Sequence, residues 1–230
     1  MTGLNPIPTS PETSPAERPL SASEAKRLAT RAETARSRFY PYWRKHYAFS
    51  DDAGEKRKQL PWLPYHQFLA AVLASGKRRI GIDKSRQMQT SWDICAYLLW
   101  YAMFVESTEI IVCSKVQRDT DYLLERMETL WRNQPEFLRD YAPVNFTDPE
   151  AFALNTRSKI IPLPEGADPV RGTQGNVVFL DECGHMEGFM NRYTAALPQI
   201  NRPVNPGKII LAGTPNLHGD WWRVVKDKYQ

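Results

Sequence analysis

The sequence predicts an α/β fold in which a largely parallel sheet is sandwiched by helices. Short apolar strands alternate with helices between residues 78 and 131, and this alternation is typical of parallel sheets. The run Val177–Leu180 is wholly apolar and leads directly into Asp181 and Glu182. A strand buried on both faces has this composition, and its carboxyl end is where open α/β sheets bind ligands. The 230 residues suffice for one such domain with an appendage, or for two small domains.

Composition excludes several other classes of protein. A formal net charge of +4 is too small for a chain that binds polyanions over its whole surface. The three cysteines lie far apart and lack a C-x-x-C spacing, so we expect buried thiols rather than disulfides or a zinc site. The longest apolar stretch, residues 96–105, is too short to span a bilayer. No signal segment opens the chain, and we expect a soluble intracellular protein with no membrane partner.

The N-terminal part of the chain differs from the rest. Residues 1–20 contain five prolines among Ser, Thr and Glu, so we expect a disordered leader. Residues 21–24 match a capping box, and helix-forming residues continue as far as Tyr40. We therefore expect a helical, basic extension over residues 21–58 and the main domain over residues 59–230. The basic residues of the extension form either an arm for nucleic acid or an ordinary solvated helix face, and we favour the second interpretation.

Hydrophobic periodicity and turn residues predict the remaining elements. We expect helices over residues 64–75, 91–106 and 119–131, strands over residues 78–83, 109–113, 177–180 and 208–212, a hairpin of residues 151–154 with 159–163, and a polar loop over residues 51–59.

The loop between the first strand and its helix is a candidate phosphate-binding loop. Against the pattern G-x-x-x-x-G-K-[ST], only its last residue, Ser91, matches. The required chemistry is a run of backbone N–H groups at a helix N-terminus, a cation and a hydroxyl for Mg²⁺. Lys84 and Arg86 can supply the cation and Ser91 the hydroxyl, or the segment is a basic turn without a ligand. The candidate residues are Lys84, Ser85, Arg86, Gln87, Met88, Gln89, Thr90 and Ser91.

Three further features fit the same nucleotide site. Asp181 and Glu182 have the arrangement in which the first carboxylate holds Mg²⁺ and the second polarises the attacking water, unless they merely cap the strand. Thr214 follows an apolar strand and can sense the γ-phosphate, unless Gly213 and Pro215 only mark a plain turn. Gln67 can bind the adenine edge, unless it is an ordinary surface glutamine.

Taken together, these residues resemble the N-terminal ATPase domain of phage terminase large subunits, which have a P-loop NTPase (RecA-like) fold. The residues that carry the resemblance are Lys84 through Ser91, with Ser-Arg-Gln at residues 85–87, Val170-Arg171-Gly172, Val177 through Glu182, and Gly213-Thr214-Pro215. The Gly-Lys-Thr ending of many members is absent. The chain is similar instead to a subset whose lysine stands at the start of the loop, here Lys84.

The resemblance implies a role for each matching residue. Lys84 and Ser91 would bind phosphates, Ser91 and Asp181 would hold Mg²⁺, and Glu182 would be the catalytic carboxylate. Thr214 would lie in the coupling motif, and Gln67 matches the adenine-proximal glutamine. Arg171 would act as an arginine finger, or pair with a neighbouring carboxylate.

The resemblance also implies substrates and partners. ATP with Mg²⁺ would drive double-stranded DNA into a procapsid in the host cell cytoplasm, through a homo-oligomeric ring on a portal, together with a terminase small subunit. Members of the family carry a C-terminal nuclease domain, for which this chain has no room. Two alternatives stay open: a helicase-like translocase, which would need a second RecA-like lobe, and a degenerate P-loop scaffold without turnover.

Overall fold

A computed structural model describes residues 21–52, 55–147, 150–163, 175–203, 206–214, 221 and 224. The predicted leader, residues 1–20, lies outside the described residues, as does Arg171.

The described residues form helices and strands in the predicted alternation. The helices are α1 (Ala22–Ser37), α2 (Tyr40–Tyr47), α3 (Pro64–Ala74), α4 (Thr90–Phe104), α5 (Gln117–Arg132), α6 (Glu136–Tyr141) and α7 (Phe189–Ile200). The strands are β1 (Phe49–Asp52), β2 (Glu55–Gln59), β3 (Arg79–Asp83), β4 (Glu109–Cys113), β5 (Val144–Thr147), β6 (Glu150–Ala153), β7 (Ser158–Pro162), β8 (Val177–Leu180) and β9 (Lys208–Gly213).

Seven of these strands form one sheet in the order β3-β9-β8-β4-β7-β6-β5. The first five run parallel to one another, whereas β6 and β5 add an antiparallel edge. The prediction of a largely parallel sheet sandwiched by helices is confirmed. Because β3, β9, β8 and β4 are parallel neighbours, their carboxyl ends meet along one side of the sheet, which we call the carboxyl edge.

The central strands are buried on both faces. Val177 and Phe179 of β8 pack into a core with α3, α4 and α5, whereas Val178 and Leu180 pack on the other side with α7 and Trp221. Successive strand residues point to opposite faces, so an uninterrupted apolar run is required wherever both faces are covered. This requirement explains why β8 carries no polar residue before Asp181.

The N-terminal extension departs from the prediction in two ways. The capping box forms, with the Glu24 N–H donating to Ser21 Oγ, but the first helix ends at Ser37. Pro41 then lies in the first turn of α2, where a missing N–H is tolerated. The predicted polar loop is wrong, because residues 51–59 lie largely in the antiparallel β1–β2 hairpin. Cross-strand backbone hydrogen bonds suffice for such a pair without apolar alternation.

Other elements follow the prediction or add to it. The predicted hairpin is confirmed as β6 and β7, which pair antiparallel. Strand β5 and helices α6 and α7 are additions that the hydrophobic pattern did not predict. Cys95, Cys113 and Cys183 are buried free thiols, as expected. None of the helices in the described ranges combines the length and the apolar character that a bilayer crossing requires.

A buried polar network joins the extension to α4, the helix that follows the candidate phosphate-binding loop. The Arg44 Nε donates to Asp93 Oδ1 at 2.6 Å, and His66 Nδ1 lies 2.6 Å from Asp93 Oδ2. Arg44 also donates to the carbonyls of Leu60 and Pro61. Asp93 stands in the first turn of α4. The network therefore anchors the start of that helix to α2 and α3.

Lys208, at the start of β9, is a partly buried cation. Its Nζ donates to the carbonyl oxygens of Leu73 and Ser75 and to Tyr97 Oη, at 2.7, 3.2 and 2.9 Å. It thereby binds the last carbonyls of α3, which lack partners within the helix. Burial lowers the pKa of the Lys208 ammonium to about 8.

This lowered pKa predicts a pH-dependent stability. Between about pH 8 and the unfolded value of 10.5, the unfolded chain binds a proton at Lys208 that the folded chain has lost, so the free energy of unfolding rises with pH. From pH 7.5 to 9.5, we expect the free energy of unfolding of wild type to rise relative to that of Lys208→Met. Urea titrations at constant ionic strength measure both values. A pH-independent difference would contradict the assignment.

Candidate nucleotide site

Four polar residues from distant parts of the sequence meet at the carboxyl edge. Lys84 follows β3, Thr214 follows β9, and Asp181 and Glu182 follow β8. The ladder between β3 and β9 continues one residue further, since the Lys84 N–H donates to the Gly213 carbonyl at 3.0 Å. The sheet register alone therefore places the ends of these three strands side by side.

Lys84, Ser91 and Asp181 form a closed triangle of hydrogen bonds. Lys84 Nζ donates to Ser91 Oγ at 2.9 Å and to Asp181 Oδ1 at 2.9 Å, and Ser91 Oγ donates to Asp181 Oδ2 at 2.8 Å. Asp181 is only 4% exposed, so its charge requires both partners. Burial would lower the pKa of the Lys84 ammonium, but the charges and hydrogen bonds of Asp181 and Glu182 outweigh burial and raise it.

Glu182 occupies the more open side of this cluster. Its Oε1 lies 3.2 Å from Lys84 Nζ, and its Oε2 accepts a hydrogen bond from Thr214 Oγ1 at 3.4 Å. Its backbone has a φ of 54°, in the left-handed region that non-glycine residues rarely adopt outside functional sites. This conformation ends β8 abruptly, so that two consecutive carboxylates take different environments.

Gly213 permits the close approach of the neighbouring chain. A Cβ atom at this position would lie 2.9 Å from the Gly184 backbone nitrogen and 3.2 Å from the Trp221 ring. Both neighbours are hard to displace, since one is backbone and the other is a buried tryptophan. Close packing therefore requires a glycine at position 213. This packing keeps Thr214 within hydrogen-bond distance of Glu182.

The loop before α4 contains two non-glycine residues in the left-handed region. Gln89 stands where the pattern requires the second glycine, and its φ is 54°. Gln87 is also left-handed, with a φ of 65°. Gln89 is the N-cap of α4 and makes no capping hydrogen bond with its side chain, so the first N–H groups of the helix stay available for an anion.

The strain at Gln89 predicts a stabilising substitution. A left-handed non-glycine residue costs about 1–2 kcal/mol, whereas glycine costs about 0.5–1 kcal/mol in unfolded-state entropy. Gln89→Gly should therefore raise the free energy of unfolding by about 0.5–1 kcal/mol. Gln67→Gly, inside α3, should lower it by about the same amount and serves as the control. Urea titration distinguishes the two, and a loss of stability in Gln89→Gly would contradict the assignment.

The loop and Glu182 border a cavity of about 540 Å³, a size typical of small-molecule sites. The predicted loop residues, Lys84 through Ser91, all line it, together with Glu182 and Thr214. Four residues that sequence reasoning missed also line it: Trp92, Lys115, Arg126 and His185. Lys115 follows β4 at the same edge and could have been found by the argument used for the other strands. Arg126 lies within α5 and carries no such signal.

Gln67 lies elsewhere. Its Nε2 donates to the Trp62 carbonyl at 3.1 Å, and it is not among the described residues that line the cavity. The residue of α3 that contacts the loop is Tyr65, whose Oη donates to the Met88 carbonyl at 3.3 Å. An adenine-binding role for Gln67 stays a prediction.

The residues present fit Mg²⁺ and a triphosphate. A hydroxyl, Ser91 Oγ, and a carboxylate, Asp181, already contact the same cation, the Lys84 ammonium, and oxygen atoms of these types are the ligands that Mg²⁺ prefers. Among the described residues, the cavity is lined by four Lys or Arg side chains (Lys84, Arg86, Lys115, Arg126) and by one carboxylate, Glu182. That excess of positive charge suits a polyanionic ligand.

Comparison with known proteins gives the fold an identity. No protein-family model and no curated protein sequence matches this chain. Among solved structures, the large terminase of bacteriophage HK97 is similar with a TM-score of 0.63 and 13% sequence identity, over 84% of this chain and 42% of that protein. The large terminase ATPase domain of Thermus phage P74-26 is similar with a TM-score of 0.55 and 16% identity, over 67% of this chain and 66% of that domain. The chain thus spans less than half of the HK97 protein. The predicted resemblance is confirmed at the level of structure: this chain has the fold of phage large terminase ATPase domains.

Proposed function

We propose that this chain is the ATP-hydrolysing motor domain of a viral terminase large subunit. The observation that carries the proposal is the convergence of Lys84, Ser91, Asp181 and Glu182 at the carboxyl edge of the sheet, where all of them except the buried Asp181 line one cavity. These four side chains supply the cation, the hydroxyl, the metal-binding carboxylate and the second carboxylate that nucleotide hydrolysis requires. The fold that the chain shares with terminase ATPase domains supports the same conclusion.

Each residue then has a definable task. Ser91 and Asp181 would hold Mg²⁺, and their 2.8 Å hydrogen bond already keeps the two oxygens adjacent. Bound Mg²⁺ would neutralise charge on the phosphates. Glu182 would orient a water molecule and take its proton as the water oxygen bonds to the γ-phosphorus and the bond to the bridging oxygen breaks. Lys84 would neutralise the charge of the phosphates. The rate gain comes from positioning and electrostatics.

Thr214 would couple ATP hydrolysis to a conformational change. Its hydroxyl contacts Glu182, so a change at the γ-phosphate that moves Glu182 would also shift the end of β9. In the proposed motor this contact couples hydrolysis to the parts of the protein that hold DNA.

The proposed substrate of the motion is double-stranded DNA, moved into a procapsid in the host cell cytoplasm. The motor would act as a homo-oligomeric ring on a portal, with a terminase small subunit selecting the DNA. Contact with DNA would be made to its phosphates and would weaken steeply with salt.

Phosphate release from Mg·ATP tests the proposal. Lys84→Ala should lower turnover at least a hundredfold, because it removes the charge between Ser91 and the two acids. Lys77→Ala is the matched control, since Lys77 is exposed and precedes β3 at the opposite end of the strand. If wild type and Lys84→Ala release phosphate equally slowly, the degenerate scaffold without turnover is correct. Turnover stimulated by single-stranded but not double-stranded nucleic acid would favour a helicase-like translocase.

Arg171 is proposed as the arginine finger, on the resemblance alone. Arg171→Ala should reduce turnover about 10³-fold or more, because a guanidinium neutralises charge that develops in the transition state. Affinity for a non-hydrolysable ATP analogue, measured by calorimetry, should stay within a few-fold. Unchanged turnover would remove Arg171 from the site. Mixing Arg171→Ala with Glu182→Ala protein would show whether it acts on a neighbouring subunit, because turnover would then return only where an intact Arg171 reaches an intact Glu182 of another subunit.

A further inference from the structure

Arg126 lines the cavity, although none of the sequence motifs includes it. It belongs to α5 and lines the same cavity as Lys84 and Glu182. Its guanidinium carbon lies 5.6 Å from the centroid of the Trp92 ring. Trp92 directly follows Ser91, so this cation is held next to the start of α4.

Among the residues that the structure describes, no acid pairs with Arg126. Within the described ranges it makes no ion pair, whereas two other arginines of the same helix do: Arg118 lies 3.8 Å from Asp119 and Arg132 pairs with Glu128. A cation on the face of an aromatic ring is attracted by the ring and keeps its N–H donors. No acceptor in the described part of the chain takes the five N–H donors of Arg126, so they can serve an anion.

Lys84 is in the opposite situation. Its ammonium has three N–H donors, and three oxygen atoms surround it: Ser91 Oγ, Asp181 Oδ1 and Glu182 Oε1. It can donate to a phosphate only by giving up one of these contacts. The motif lysine position is held by Thr90, so the loop offers no second ammonium there. Arg86, the other cation of the loop, lines the cavity but is exposed, so a cation held in place by another element would add to phosphate recognition.

We propose that Arg126, positioned by the Trp92 ring, binds phosphate groups of the nucleotide from within the same chain. The proposal rests on the proposed function and deepens it by naming the residue that compensates for the missing loop lysine. Lys115, which follows β4, lines the same side of the cavity. Its Nζ lies 3.4 Å from Asp119 Oδ2, and its side chain is 41% exposed. Arg126 would act on the ground state, whereas Arg171 is proposed to act on the transition state.

Calorimetric binding of two probes, Mg·ATP and inorganic tripolyphosphate, tests the proposal at constant ionic strength. Arg126→Ala should weaken both probes by about tenfold or more, because a charge-assisted hydrogen bond to phosphate is lost. Arg132→Ala, the matched control on the same helix, should stay within twofold. Arg126→Lys should restore only part of the affinity, since an ammonium lacks the planar fork of a guanidinium. Trp92→Leu should weaken both probes less than Arg126→Ala does.

The outcomes separate this inference from the proposed function. Equal affinities of Arg126→Ala and Arg132→Ala, in a wild type that binds and hydrolyses ATP, would overturn the inference alone. A lowered melting temperature with unchanged affinity would also overturn the inference, because it marks a purely structural contact with Trp92.

Weaker binding of Mg·ATP without weaker binding of tripolyphosphate would place Arg126 at the nucleoside and would overturn the inference as well. A wild type that binds neither probe would overturn both. Arg126→Gln, close in size, replaces Arg126→Ala if the latter does not fold.

Discussion

Glu182→Gln is expected to reduce ATP turnover by about 10²–10⁴-fold, because an amide cannot take the proton of the attacking water. Affinity for Mg·ATP should stay within a few-fold or increase. The substitution removes a negative charge beside the phosphates and weakens the 3.2 Å contact of Lys84 with residue 182 to that of a neutral acceptor. Single-turnover phosphate release measures the first quantity and calorimetry the second.

Glu187→Gln is the matched control. Glu187 is an exposed carboxylate five residues further along the same segment, so its loss changes the net charge equally without touching the cavity. Turnover of Glu187→Gln should equal that of wild type. Equal turnover of both variants would remove Glu182 from the catalytic role and leave it as an ion-pair partner of Lys84.

Arg44→Met is expected to lower the free energy of unfolding by about 3–5 kcal/mol, the largest effect on stability that the structure predicts. Arg44 is 1% exposed, and its partner Asp93 is 2% exposed. Without the guanidinium, the Asp93 carboxylate stays buried beside His66 alone. The carbonyls of Leu60 and Pro61 also lose a donor. Urea unfolding followed by tryptophan fluorescence measures the change.

A double variant and a surface control isolate the cause. Adding Asp93→Leu should recover part of the lost stability, because it removes the uncompensated buried charge. Arg132→Met breaks an exposed pair with Glu128 and should cost less than about 1 kcal/mol. If Arg44→Met and Arg132→Met are equally mild, the buried network does not anchor α4.

The centre of the candidate site was predictable because sheet geometry limits where a polar residue can stand. An apolar run such as Val177–Leu180 must be covered on both faces, so Asp181 and Glu182 could only emerge at the strand end. The same argument applies to Lys84 after β3 and to Thr214 after β9. Parallel strands share one carboxyl edge, and these residues therefore meet although up to 130 positions separate them.

The contributions of the helices were not predictable in this way. Arg126 and Trp92 meet only because α5 packs against α4, and helix packing leaves no periodic signal that pairs two particular residues. Arg44 stands in a basic stretch that resembles a solvated face. It is buried because a carboxylate 49 positions away, Asp93, compensates its charge. The β1–β2 hairpin was not predicted for a related reason. Its strands pair through backbone hydrogen bonds, and the sequence pattern of the side chains does not indicate that pairing.

By itself, the sequence determined the layered architecture, because burial on two faces demands uninterrupted apolar strands, and it determined the edge at which chemistry is possible. Tertiary structure alone decided how charge is shared there. In the folded chain the Lys84 ammonium contacts Ser91, Asp181 and Glu182. The Arg126 guanidinium instead lies over the Trp92 ring and lines the cavity. The physical reason is that electrostatic pairing depends on distances of about 3 Å between atoms, and only the packed chain sets such distances.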